Sequence, residues 1–187
     1  MRHWLLLWVG WMVGTAVGWG LSAAAINVMP ELNTMLGLAL VGTFQWLPIR
    51  KHVQGSGIWV LVTYIAGFVG SLSGLLFLQF LNLIPDAPLS FGPNALLWGV
   101  DGAVIGMAQA FLFQPKPPHR FYWPLFSGLG YAAAGLISML VRIWLDIPGL
   151  DWRSSTVFGA VAGFVSGAGL IWILMKQPDR APHRSRF

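Results

Sequence analysis

Long apolar runs alternate with short polar breaks along the whole chain. Six runs follow one another: Trp4–Ile26, Leu32–Leu47, Ile58–Leu81, Asn94–Phe113, Phe121–Val141 and Ser154–Met175. A bilayer core about 30 Å thick takes about 20 residues of helix at about 1.5 Å each. Five runs reach that length. The second is short, with 18 residues between Glu31 and Arg50 and with Pro48 near its end. The expected fold is all-α, a polytopic membrane protein with six transmembrane helices. The first run invites another reading, because Met1-Arg2-His3, the apolar stretch and "LSAAA" up to Ala25 resemble a secretory signal. A repeat that uses the same run favours an uncleaved helix.

The even-numbered runs repeat one another. "LALVGTFQ" (Leu38 to Gln45), "GAVIGMAQ" (Gly102 to Gln109) and "GAVAGFVS" (Gly159 to Ser166) align without a gap on Gly42, Gly106 and Gly163, at offsets of 64 and 57 residues. The breaks repeat as well: "INVMPE" ends at Glu31, "LNLIPD" ends at Asp86, and "LDIPG" surrounds Pro148. Odd-numbered runs carry Gly14 and Gly18, then Gly70 and Gly74, then Gly128, Ala132 and Gly135. The pattern predicts three tandem helical hairpins about a pseudo-threefold axis normal to the membrane. Their approximate bounds are 1–52, 53–116 and 117–175, within one domain spanning 1–175, followed by a basic tail, 176–187. Parallel repeats of this kind differ from the inverted repeats of many secondary transporters.

Glycines fall on helical stripes, since a helix turns about 100° per residue. Gly102 and Gly106 share a stripe with Gln109, Gly159 and Gly163 with Ser166, and Gly14 continues to Gly18. Helices in lipid gain nothing from the hydrophobic effect between them, so they associate by close packing, which small residues permit. Gly14, Gly18, Gly42, Gly70, Gly74, Gly102, Gly106, Gly159 and Gly163 are therefore expected at helix–helix contacts. A groove for a lipid or a flat pigment is the functional alternative.

Composition narrows the class. The chain is 56% hydrophobic and only 9% charged, against about 25% charged in a soluble domain. That excludes a water-soluble globule, a disordered chain and a nucleic-acid-binding domain that works by charge. The absence of cysteine removes disulfides, thiolate metal sites and thiol nucleophiles. The net charge of +5 reflects topology. Arg2, Arg50, Lys51, Lys116, Arg120, Lys176, Arg180, Arg184 and Arg186 fall on the side of the N-terminus, and only Arg142 and Arg153 fall opposite. This positive-inside bias predicts cytoplasmic termini in a multi-pass protein of a bacterial inner (plasma) membrane. Trp4, Trp46, Trp59, Trp123, Trp144 and Trp152 lie near run ends, where indole rings favour the headgroup layer.

Few polar groups lie inside the runs. Asp101 is the lone acid, and its repeat equivalents are Gly37 and Phe158. An ionised carboxylate at that depth costs several kcal/mol unless paired, hydrated or protonated, so Asp101 is either a cation or proton site or a structural tie. Arg142 or Arg153 is placed to reach toward it from the outer side. Gln45, Gln109 and Ser166 hold equivalent places in the three repeats. They read as interhelical hydrogen-bonding glue or a polar ring around the axis, with amide ligation of a chlorophyll magnesium as a further option. His3, His52, His119 and His183 all lie outside the runs, which argues against haem held by membrane histidines. No second membrane acid accompanies Asp101 and no membrane histidine accompanies Ser166, so no catalytic constellation and no metal motif is expected.

Lys116, Arg120, Arg180, Arg184 and Arg186 lie in proline-containing basic segments suited to headgroup or partner contact. The leading expectation is a non-catalytic accessory or scaffold subunit of a larger membrane complex. It would pack lipid or a hydrophobic cofactor, a carotenoid or chlorophyll-type pigment among them, in glycine-lined grooves. The alternative is a small-solute or proton-coupled transporter or channel that uses Asp101, Gln45 and Gln109. Expected partners are the bilayer and other membrane subunits, with no nucleic acid.

Overall fold

The computed structural model describes residues 2–26, 33–53, 56–81, 91–113, 119–147 and 151–176. Among them are six α-helices and no strand: α1 (Arg2–Ile26), α2 (Asn33–Ile49), α3 (Trp59–Phe80), α4 (Phe91–Ala110), α5 (Trp123–Trp144) and α6 (Trp152–Met175). Four of these, α1, α3, α5 and α6, are long and apolar enough to cross a membrane. α2 has 17 residues and is too short to join them. α4 has 20 residues, but Asn94, Asp101 and Gln109 lower its mean hydropathy.

Helix ends follow local chemistry. α4 starts three residues before the apolar run, with Pro93 in its first turn, and α5 carries Pro124 in its own. Proline costs little there, since first-turn N–H groups have no intrahelical acceptor. Beyond α5, Asp146 takes a φ of 51°, a left-handed conformation that Asp tolerates better than most residues. Ile147 N then donates back to Arg142 O at 2.9 Å, which satisfies an end carbonyl. α6 is capped by Asp151, whose carboxylate accepts from Arg153 N at 2.7 Å.

The six helices close a ring. Each packs against its neighbours in sequence, α6 packs back against α1, and no other helix pair brings its backbones together among the described residues. α1 and α6 run antiparallel: Trp8 Nε1 donates to Phe164 O at 3.0 Å, while Gly20 lies against Thr156. Side chains fill the centre in two layers. One includes Leu7, Trp11, Ile49, Trp59, Phe113, Trp123 and Leu170. The other includes Ala66, Ile105, Tyr131, Ala134 and Phe158, with Trp19 and Trp98 against it. The outside is apolar, with Leu5, Leu6, Phe68, Leu72, Leu76, Leu129 and Leu140 exposed. Such an exterior is unfavourable in water and compatible with a membrane protein.

The nine stripe glycines are all buried. Gly14 and Gly18 face α2, Gly42 faces α3, Gly70 and Gly74 face α4, Gly102 and Gly106 face α5, and Gly159 and Gly163 face α1. The approach is close. A Cβ on Gly18 would stand 2.7 Å from Val41 Cα, and one on Gly106 would stand 2.8 Å from Pro124 Cα. Protein backbone thus occupies these faces.

Candidate functional site: a polar belt, a buried carboxylate and a pocket

Three polar features lie at successive levels along α4. Trp98 borders a pocket, Asp101 lies about one turn deeper, and Gln109 lies about 12 Å beyond Asp101 at about 1.5 Å per residue.

The deepest level is a hydrogen-bonded belt. Trp123 Nε1 donates to Gln109 Oε1 at 3.0 Å. Gln109 Nε2 donates to Thr63 Oγ1 at 2.8 Å and to Gln45 Oε1 at 3.5 Å. Gln45 Nε2 donates to Thr15 Oγ1 at 3.4 Å, and Thr15 Oγ1 donates to Trp11 O at 2.8 Å. Trp11 Nε1 donates to Ser166 Oγ at 3.0 Å, and Ser166 passes its hydrogen to Ala162 O at 2.6 Å. The chain of bonds visits all six helices. Gln45, Gln109 and Ser166 are brought into one network with three residues that the sequence reading missed: Trp11, Thr15 and Thr63.

Beneath the belt four rings meet edge to face: Trp11 with Trp59 at 5.8 Å, Trp59 with Phe113 at 6.1 Å, Phe113 with Trp123 at 5.8 Å, and Trp123 with Trp11 at 5.6 Å. The headgroup expectation is corrected for two tryptophans. Trp59 is 0% exposed and Trp123 1%, because their rings turn inward to this cluster. Trp144 at 84% and Trp152 at 51% are exposed. A sequence signal was present: "WMVGT", "WVLVT" and "WPLFS" each place a hydroxyl four residues after Trp11, Trp59 and Trp123. Gly163 packs on Met12 and Thr15, Gly42 on Val60 and Thr63, and Gly106 on Pro124 and Ser127. Each contact falls one and four residues after one of those tryptophans.

Asp101 is 1% exposed and packs against Gly70 of α3. Ser71 lies near the carboxyl, yet neither carboxylate oxygen has a partner at acceptable hydrogen-bond geometry among the described residues. Tyr131 packs on Gly102, next to Asp101, and its ring lies 6.1 Å from that of Trp19. The Tyr131 hydroxyl and Trp19 Nε1 are both buried and make no hydrogen bond of acceptable geometry among the described residues. Neither arginine expected to reach Asp101 forms an ion pair with it. Arg153 approaches Asp151 at 4.0 Å, and Arg142 lines the pocket.

The pocket, of about 590 Å³, opens where α4 and α6 begin and α5 ends. Its aromatic wall is Trp19, Trp98 and Phe158, and its polar wall includes Asn94, Arg142 and Asp146. The rings interlock, with Trp98 to Phe158 at 4.6 Å, Trp19 to Phe158 at 4.8 Å and Phe158 to Tyr131 at 5.5 Å. Tyr131 therefore joins the pocket wall to the neighbourhood of Asp101.

Arg120 lies over the Phe121 ring at 4.7 Å, whereas Lys116, Arg180, Arg184 and Arg186 fall outside the described residues. His119 leans on Trp172 at 5.2 Å. No group of three metal-ligating side chains occurs among the described residues. The fold and site define an all-helical protein of membrane-like character. No protein-family model, curated protein or solved structure matches the chain.

Proposed function

We propose that the chain is a non-catalytic integral membrane protein that spans the bilayer six times as three hairpins. Both termini lie on the cytoplasmic side, and the protein serves as an accessory subunit that holds a small molecule. The pocket carries this reading. It opens at one end of the ring, the end that the distribution of basic residues assigns to the outside, and its volume suits a small ligand. The belt and the tryptophan cluster fill the other end, as a holder requires and a through-channel does not. With backbone on the glycine stripes, the ligand site moves from glycine grooves to the pocket. The repeat is supported by the matched packing of Gly42, Gly106 and Gly163.

One observation favours the rival, a coupled transporter: Asp101 is buried with no hydrogen bond of acceptable geometry among the described residues. Buried membrane carboxylates are costly and often functional. Two measurements separate the readings. Purification in mild detergent followed by mass spectrometry should find a copurifying subunit or small molecule, and empty monomers would contradict the accessory reading. Liposomes containing the protein should show no solute or proton flux. Flux that Asp101→Asn abolishes would establish the transporter instead. Topology has its own test, because a chain without cysteine accepts single reporters. A cysteine at Lys51 should label only from the cytoplasm and one at Asp146 only from outside.

A further inference from the structure

We propose that the pocket takes an organic oxyanion, the carboxylate of a small acid or the phosphate of a lipid headgroup, paired with the guanidinium of Arg142. The inference rests on the pocket being the ligand site and adds the chemistry of the ligand. Arg142 is the basic side chain in the lining and Asp146 the acidic one. Arg142 lies within the long apolar segment Arg120–Trp144, where an unpaired charge is costly and marks a ligand or ion site. Its Nε is buried without a partner, and neither Arg142 nor Asp146 enters an ion pair among the described residues. A guanidinium has five N–H donors and accepts nothing. What satisfies it is an acceptor, best of all an oxyanion that takes two of those donors at once. Asp146 would oppose such a ligand, but it is exposed, whereas Arg142 is half-buried. Water and salt screen the exposed charge more, so Arg142 sets the sign of the site.

The ring itself does not require that charge. At the 64-residue offset that aligns Trp59 with Trp123, Arg142 corresponds to Leu78 of α3, which is 0% exposed. Leucine serves at that place in α3, so the arginine of α5 answers to something other than helix packing, and the pocket lies beside it. The rest of the lining suits an apolar body attached to the anion. Trp98 and Phe158, with rings 4.6 Å apart, share the wall with Met139 and Ile143.

The test titrates three probes of nearly one shape into the full chain in mild detergent, by calorimetry: phenylacetate, its neutral isostere phenylacetamide, and the cation 2-phenylethylammonium. Phenylacetate should bind about tenfold more tightly than phenylacetamide. Arg142→Gln should remove that preference. Arg142→Lys should keep part of it, because the charge stays while the two-pronged contact goes. Trp98→Leu should weaken phenylacetate and phenylacetamide alike, through the apolar body they share. Dihexanoyl phosphatidylglycerol separates the two sources of the oxyanion. Displacement of phenylacetate by it would assign the site to a lipid phosphate, and no displacement would assign it to a free acid; either result upholds the oxyanion. Equal binding of phenylacetate and phenylacetamide would overturn it and leave a neutral pocket. Preference for 2-phenylethylammonium would overturn it in favour of a cation. A preference for phenylacetate that survives Arg142→Gln would overturn Arg142 as the partner. Failure of all three probes and of the lipid to bind would overturn the pocket as a ligand site. The wild-type comparison of phenylacetate with phenylacetamide stands even if an Arg142 variant does not fold.

Discussion

Trp11, Trp59 and Trp123 occupy matching places, yet their indole N–H groups meet different fates. Trp11 finds Ser166 and Trp123 finds Gln109. The equivalent acceptor for Trp59 is Gln45, whose Oε1 instead accepts from Gln109 at 3.5 Å, and Trp59 Nε1 is left without a partner among the described residues. Phenylalanine in either place keeps an aromatic ring in the cluster and deletes the N–H. At Trp59 that removes an unsatisfied donor, whereas at Trp123 it strips Gln109 Oε1 of a bond. Trp123→Phe should therefore cost about 1 kcal/mol more than Trp59→Phe. Thermal unfolding of both variants in one detergent measures the difference, and the reverse order would show that the hydrogen bond is not what matters there. Gln109→Leu should be worse than either, by about 2–3 kcal/mol, because Gln109 joins Trp123, Thr63 and Gln45 at once.

The helices themselves were legible in the apolar runs, because five of the six are long, and polar, glycine or proline residues separate them. Their ends were less so. Pro93 and Pro124 sit harmlessly in first turns, and Pro48 lies inside α2. There it leaves the Phe44 carbonyl without its usual donor, and that carbonyl faces Gly14. Helical spacing put Asp101, Gln45, Gln109 and Ser166 on buried faces, but it gives no distances between helices. The belt and the pocket emerge only once α6 meets α1 and α4 meets α5. In the odd-numbered helices the glycine alignment also drew attention away from tryptophan and hydroxyl spacing, which the packing follows. Glycine need, by contrast, is decided at the interface. A Cβ on Gly106 would stand 2.7 Å from Ser127 Cβ, whereas one on Gly57 meets nothing within 4 Å. Gly106→Ala should then destabilise by about 1–3 kcal/mol through overpacking, and Gly57→Ala should leave the melting temperature unchanged. Equal effects in a detergent melting series would mean that the α4–α5 seam yields more easily than its geometry implies.

Ring closure has a consequence for chain order. α1 lies along α6 in antiparallel fashion, so Arg2 and Met175 fall at the same end of the seam that Trp8 and Phe164 pin at 3.0 Å. A short flexible linker placed there joins Met175 to Arg2 without crossing the ring. If the unit of assembly is a hairpin, the chain tolerates new termini between hairpins, because each helix keeps its direction and its neighbours and each basic segment keeps its side. One permutant would open between Val53 and Ser56, ahead of α3, and a second between Phe113 and His119, ahead of α5. Both should elute as single species in detergent and melt within a few degrees of the parent, since termini that lie close together permit permutation. Their agreement matters more than either result alone, because the proposed threefold equivalence would make the two openings alike. A permutant opened before α5 that folds beside one opened before α3 that aggregates would show that α1 and α2 must be made first. The molecule would then be a ring by contact but not a set of interchangeable hairpins.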